Sequence, residues 1–324
     1  MDVFSHAVLP LALWALLLRR PAPERLAAAL GGAAPDMDFF LAWVTRLGDP
    51  FYAFVHRGLS HTLWGAPLFA LVGLALLASP WAARAWPRLA AFRLTPATAL
   101  AAALGGLTHL ALDMLTISGV PLLWPLSVER FTLNVYFFSA LYMTPVAAYA
   151  VWRLYKGRLS DALLARVAAV LVAMLAVSGA VRLAAYPHDA PPGAVVQPAA
   201  LDGQWVVAEP VADGWVVRTA GWAADGRAFT FTGNATPEAQ PAVERAEALG
   251  AYTSWRWRSA APVVNATPLG DGGWRVEFRD AFALHRNATG SIFQLVRMSV
   301  PLVVEVHGDA AVVRERPGGW GIGG

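Results

Sequence analysis

The chain contains no cysteine. Disulfides, thiolate metal ligands and cysteine nucleophiles are therefore excluded. Charge is scarce as well: 15% of the 324 residues are Asp, Glu, Lys or Arg, against about 25% in an ordinary soluble domain. With 57% hydrophobic residues and a mean hydropathy of +0.47, the composition reads as an integral membrane protein. The few charges are unevenly placed. Residues 1–189 hold 14 Lys and Arg against 9 Asp and Glu, whereas residues 190–324 hold 11 against 13. The basic pI thus comes from the apolar half, where basic residues set membrane topology, and no nucleic-acid partner is expected. The N-terminus "MDVFSHAVLP" has no basic region, and no small-residue cleavage site follows its apolar run. It reads as a retained span and not as a signal peptide.

Six apolar segments can be drawn: Val3–Leu18, Leu26–Val44, Thr62–Ala78, Ala97–Ser118, Phe131–Trp152 and Leu163–Ala185. Most approach the ~20 residues that cross a bilayer core, and the second is interrupted by Pro35, Asp36 and Asp38. Ten basic residues fall in alternate connections: Arg19, Arg20 and Arg25, then Arg84, Arg88 and Arg93, then Arg153, Lys156, Arg158 and Arg166. The positive-inside rule puts those connections in the cytoplasm. The expected architecture is a multi-pass α-helical membrane domain of about six spans over residues 1–185, with its N-terminus outside the cytoplasm.

A Pro-rich linker, "YPHDAPPGAVVQP" (186–198), follows. Beyond it the period of apolar residues changes to two. "QWVVAEP", "GWVVRTAGW", "RAFTFTG", "GWRVEFRDAFAL" and "PLVVEVHGDAAVVRE" read as strands. Asp-Gly pairs at 202–203, 213–214, 225–226 and 271–272 mark turns, and Pro241–Tyr252 reads as a helix. Residues 199–324 are expected to form a small β-rich extracytoplasmic domain with a frayed Gly-rich tail. His285 and His307 show no ligand-like companion there, and the many tryptophans suit a core or a membrane face.

The residues with chemistry lie in the apolar half. His6 follows "DVFS". Asp36 and Asp38 form "PDMD". His56 and His61 flank "RGLS", and His109 and Asp113 form "THLALD". Each motif has a plain structural reading. Asp after Pro can cap a helix, a loop His can be exposed, and the four-residue spacing of His109 and Asp113 puts both on one helical face as a packing pair. Within "VHRGLSHTLW", Ser60 reads as a helix cap, Gly58 as a turn and Trp64 as an interfacial anchor. Under six crossings, however, all these groups share one depth beneath the outer surface. A mixed His and Asp set without Cys suits Zn²⁺, Mn²⁺ or Fe²⁺, as one ion or a pair. Asp36 is the better ligand and Asp38 the better outer-shell or second-ion residue. Asp38 could also act as base or bridging ligand, and Arg57 could hold an anionic group such as phosphate.

An N-terminal "SH", then "PDMDF", "HRGLSHT" and "GGLTHLALDMLTISGVPLLWPLS", resembles the YdjM-like membrane-bound metal-dependent hydrolases, also described as LexA-binding, inner-membrane-associated hydrolases. The match is good over residues 1–130. Further on, "WRWRSAAP" (255–262) and "EFRDAFAL" (277–284) resemble the extension of longer members, although Asp280 is followed here by Ala-Phe-Ala. The resemblance implies that His6, Asp36, His56, His61, His109 and Asp113 hold the metal, with Zn²⁺ the first choice. It also implies hydrolysis in the inner membrane. With the lipid bilayer as partner, the expected substrate is an ester or phosphoester in a lipid or lipid-linked molecule. The alternative is a non-catalytic metal-binding membrane protein whose β-rich domain binds an envelope partner.

Overall fold

Small residues decide how the N-terminal helices pack. The computed structural model describes residues 2–87, 89, 92–137, 142–222, 224–288 and 300–315. Its helices are α1 (Val3–Ala12), α2 (Ala22–Ala33), α3 (Gly65–Leu77), α4 (Pro80–Ala85), α5 (Pro96–Asp113), α6 (Met143–Tyr155) and α7 (Asp161–Ala184). Asp2 caps α1 by accepting from the backbone N–H groups of Phe4 and Ser5, and Thr95 and Thr98 form a capping box on α5. At Gly32 an added Cβ would run into the carbonyl oxygen of His6, and at Gly105 into that of Ala28. Only glycine lets these backbones approach so closely. Around α2, Ala27, Ala28, Ala101, Ala102, Ala70 and Leu74 form one core; Val8, Leu11, Met143, Ala147, Leu164 and Leu171 of α1, α6 and α7 form another.

The expectation of about six membrane spans is not met. Among the described residues only α7, with 24 residues, is long and apolar enough to cross a bilayer. At about 1.5 Å per residue, the 13 residues of α3 and of α6 reach about 20 Å, short of a core about 30 Å thick. Hydropathy registers apolar runs, not helical ones, and the runs are broken by local geometry. After Ala33 the second segment tightens into 3₁₀ turns over Ala34–Leu47. The third begins its helix only at Gly65, because Leu59–His61 forms a separate turn. The fourth ends at Asp113. The fifth is not helical through 131–137, where Phe131 bridges Val120 and Tyr136 bridges Thr116; residues 138–141 lie outside the described residues. The alternation of basic loops therefore no longer assigns a side to either terminus.

The chain divides into two compact units: Met1–Phe40 with His56–Ala180, and Leu41–Val55 with Val181–Gly324. Residues 41–55, of which 41–44 fell in the second apolar segment and the rest in the connection after it, thus fold with the C-terminal part. That part carries two antiparallel four-stranded sheets. The first is β1 (Val195–Pro198), β2 (Gln204–Val211), β3 (Gly214–Gly221) and β4 (Ala228–Thr232), in that order. The helices α8 (Gln240–Glu247) and α9 (Gly250–Arg256) follow. The second sheet is β5 (Pro262–Pro268), β6 (Trp274–Asp280), β7 (Leu302–His307) and β8 (Ala310–Glu315), with α10 (Ala281–Ala288) between β6 and β7. The expected strands at 204–210, 214–222 and 301–315 are realised. The run 273–284 is strand only as far as Asp280. Helix replaces alternation beyond it, and β1 and β5 had no clear period. The Gly-rich tail lies outside the described residues.

Side chains of α8 and α9, including Val243 and Trp255, pack with Phe278, Leu302 and Val304 of the second sheet. The carboxylate of Asp49 accepts from the N–H groups of Gly250 at 2.6 Å and Ala251 at 2.8 Å, capping α9 and binding segment 41–55 into this unit.

Replacing Gly32 with Ala is expected to lower stability by about 1–3 kcal/mol, as overpacking does, read as a fall in Tm of the detergent-solubilised chain. G270A, at a position with nothing within 4 Å, serves as the control and leaves Tm unchanged.

Candidate metal centre

Three helical or turn segments of the first unit converge on one buried point. Asp36 comes from the 3₁₀ turns after α2, His61 from the turn before α3, and His109 and Asp113 from one face of α5. His61, His109 and Asp113 are 0% exposed, and Asp36 is 8% exposed. His61 Nε2 and His109 Nε2 lie 3.0 Å apart. Asp36 Oδ1 is 3.6 Å from each of them. Asp113 Oδ2 is 3.4 Å from His61 Nε2 and 3.5 Å from His109 Nε2. For ligand bonds of 2.0–2.1 Å, the edge of a tetrahedron is about 3.3 Å. Donors at these separations can therefore share one first-row ion.

The outer contacts settle which ring nitrogens face inward. His109 Nδ1 donates to the carbonyl oxygen of Gly32 at 2.7 Å, a contact that the close approach of α2 and α5 permits. Nε2 is left with its lone pair. His61 Nδ1 faces Ser60 Oγ at 2.8 Å and Asp38 Oδ2 at 3.3 Å, and the Ser60 hydroxyl donates to the same Asp38 oxygen. Carboxylate–histidine pairs of this kind orient metal ligands. With both Nδ1 atoms so engaged, two Nε2 atoms face each other beside two carboxylate oxygens. That arrangement calls for a cation.

The titration behaviour points the same way. Burial opposes the charge on Asp36, yet the imidazoles of His109, His61 and His6 outweigh it and hold the carboxyl below its usual range. Burial also opposes the charge on Asp113, and Arg57 leads the groups that keep it ionised. For His61, burial favours the neutral ring, but bonds to Asp113, Asp36 and Asp38 push its pKa up to about 10. Without metal the cluster thus gathers a proton on His61. The Arg57 guanidinium meets Asp113, and Asp36 and Asp38 lie among imidazoles; a divalent ion suits such a concentration of buried carboxylates.

Of the six expected ligands, Asp36, His61, His109 and Asp113 come together in this group. His6 stands one step outside: its Nε2 is 3.2 Å from Asp113 Oδ1, and its ring stacks on His109 at 3.8 Å. Burial and the neighbouring His109 lower its pKa to about 3, so it is neutral. His56 Nδ1 lies 2.7 Å from Asp38 Oδ1, and its ring stacks on Phe39. Asp38, His56 and His61 form a second group able to hold a metal. It would draw on the Asp38 side of His61, where Nδ1 lies. Filling both groups at once would strip both protons from that one imidazole.

Arg57 is 5% exposed and has a left-handed backbone at φ +60, a conformation rare for a side-chain-bearing residue. Its N–H donates to Asp38 Oδ2 at 3.1 Å, and its guanidinium donates to Asp113 Oδ1 at 2.9 Å and to Thr116 Oγ1 at 2.7 Å. Asp113 Oδ1 is thus occupied by Arg57 and His6, and Oδ2 is turned to the centre. The left-handed residue of the "HRGLSH" turn is Arg57, whereas Gly58 has φ −105. Ser60 is not a helix cap; Thr62 Oγ1 accepts from Gly65 N at the start of α3, while Ser60 serves Asp38. Thr116, Gly32 and Arg130 were not singled out from the sequence. Thr116 could have been, three residues after Asp113 in the quoted motif. Arg130, whose guanidinium donates to the carbonyl oxygens of Arg57 and Gly119, has no local signal.

Fold and site together define a protein whose helical N-terminal unit carries a buried two-His, two-Asp cluster able to hold a metal ion. The chain belongs to the family described as YdjM inner membrane protein, whose model matches residues 1–185. No curated protein and no solved structure matches it.

Replacing Arg57 with Lys keeps the charge but removes the grip on both Asp113 and Thr116. Metal affinity, measured by chelator competition, is expected to fall about 10- to 100-fold, as for other residues that orient ligands. An unchanged affinity would show that Asp113 holds its orientation unaided.

Proposed function

We propose that this protein is a metal-dependent hydrolase of the inner membrane, acting on an ester or phosphoester of a lipid or lipid-linked substrate. The observation that carries the reading is the pair of Nε2 atoms 3.0 Å apart between two carboxylate oxygens. Asp36, His61, His109 and Asp113 would hold the ion, with Zn²⁺ favoured by two imidazoles, two carboxylates and edges near the tetrahedral value. Bound there, a divalent ion supplies Lewis acidity and makes a water acidic enough to attack near neutral pH.

The residues of the chain have separable tasks. His109, fixed by Gly32, and His61, fixed by Ser60 and Asp38, present lone pairs from set directions. Arg57 and His6 hold one oxygen of Asp113. Asp38 meets His56, Arg57 N, Ser60 and His61 at once, which favours an orienting role over that of a mobile base. Asp36 has a side chain 10% exposed where its three partners have 0%, so water and substrate have their approach on its side. Met37 and Phe40, 44% and 74% exposed on the same turns, suit an apolar substrate at that mouth.

Four protein donors can also close a tetrahedron, as in structural sites, and this favours the second reading of a non-catalytic metal protein. The purified chain is expected to carry one Zn²⁺. H61A and H109A should each lose it and, with it, hydrolysis of phospholipid in mixed micelles. An absence of divalent metal after purification without chelators would overturn the metal reading. Stoichiometric metal with no hydrolysis of ester or phosphoester lipids would leave the structural reading.

A further inference from the structure

The last turn of α7 is locked into the first sheet. Arg182, 3% exposed, donates to the carbonyl oxygen of Ala199 at 2.9 Å and pairs with Asp202 at 2.7 Å. Trp205 Nε1 donates back to the carbonyl oxygen of Arg182 at 3.0 Å. The one helix long and apolar enough to cross a bilayer among the described residues therefore ends directly on the loop before β2.

The side chains exposed around that joint are apolar, and they come from three separate parts of the chain. Leu183 is 60% exposed and Tyr186 38%; Leu201, on the loop before β2, is 64%, and Trp222, after β3, is 66%. Trp222 is brought there by its N–H, which donates to the carbonyl oxygen of Gly203 at 2.9 Å. A Cβ at Gly203 would lie 3.1 Å from the Trp222 ring and 3.6 Å from Val181 of α7, so ring and helix flank the same glycine. Gly203 and Gly221 take φ +78 and +91 to make this turn. Beyond residue 190, the exposed large apolar side chains among the described residues are Leu201, Val211, Trp222 and Val312, and the two most exposed are the two at this joint.

We propose that Leu183, Tyr186, Leu201 and Trp222 form a membrane-seating rim. Leu201 and Trp222 enter the interfacial layer of the phospholipid bilayer and hold the first sheet at a fixed height on it. Tryptophan and tyrosine prefer this layer because their rings are apolar and their N–H or O–H groups reach water. The cations near the rim are matched: Arg182 by Asp202, and Arg218 by Glu209 at 2.8 Å and Asp189 at 3.7 Å. Seating therefore works by apolar insertion and does not require anionic lipid.

The absence of cysteine makes the test direct. Single-cysteine variants L201C and W222C are spin-labelled in the full chain and placed in phosphatidylcholine nanodiscs. V177C, on α7 and 63% exposed, and D309C, with a side chain 99% exposed, are the references. Labels at 201 and 222 are expected to meet an aqueous nickel complex several-fold less than the label at 309, while the label at 177 meets oxygen and not nickel. Nickel access at 201 and 222 equal to that at 309 would overturn the rim, as would protection that arises only with anionic lipid. An aqueous environment at 177 would overturn it at its root, because α7 would then not cross.

Discussion

The constraint on which the first unit depends is the burial of three carboxylates in one cluster. Asp36, Asp38 and Asp113 are each under a tenth exposed, and charges so placed must be matched by partners or by an ion. Each contact around them answers that demand. Arg57 and His6 take one oxygen of Asp113, and Ser60, His56 and His61 surround Asp38. What remains facing inward is two oxygens and two nitrogens, a set that a proton on His61 can balance in part and that could hold a divalent cation. The same donors in a more open site would be ordinary surface residues.

The packing serves this centre. Gly32 brings α1 and α2 together and also offers the carbonyl that sets His109. Arg57 takes a left-handed backbone so that its N–H meets Asp38 while its side chain meets Asp113, and Arg130 supports its carbonyl from a distant turn. Between Asp38 and His56 the chain leaves for the second unit, where Asp49 caps α9. The 2.7 Å contact between Asp38 and His56 closes that excursion. Cluster residues on either side of a long insertion are thereby held as if they were consecutive.

The site was legible in the sequence further than the fold was. The "PDMD", "HRGLSH" and "THLALD" motifs stand out because ionisable residues are rare in apolar surroundings, and all three reach the cluster. Their division into inner and outer groups was not legible. His6 and His61 look alike in sequence, and only ring orientation separates a group facing the centre from one that braces Asp113. The helical spans were misjudged for a physical reason: apolar composition records burial, whether in lipid or in protein. Residues 131–137 are mostly apolar, yet they bond their backbone to 114–120 and do not wind into a helix.

By itself the sequence determined the chemistry on offer: imidazole and carboxylate without thiol, scarce charge, long apolar runs and turn signals between later strands. These follow from residue type and short-range periodicity. Tertiary structure decided which nitrogen of each histidine faces inward, which oxygen of Asp113 faces the centre, and that residues 41–55 belong with the C-terminal sheets. Those choices depend on contacts between residues 22 to more than 200 positions apart, such as Ser60 with Asp38, Arg57 with Asp113 and Asp49 with Gly250. No local pattern in the chain encodes a distance of that kind.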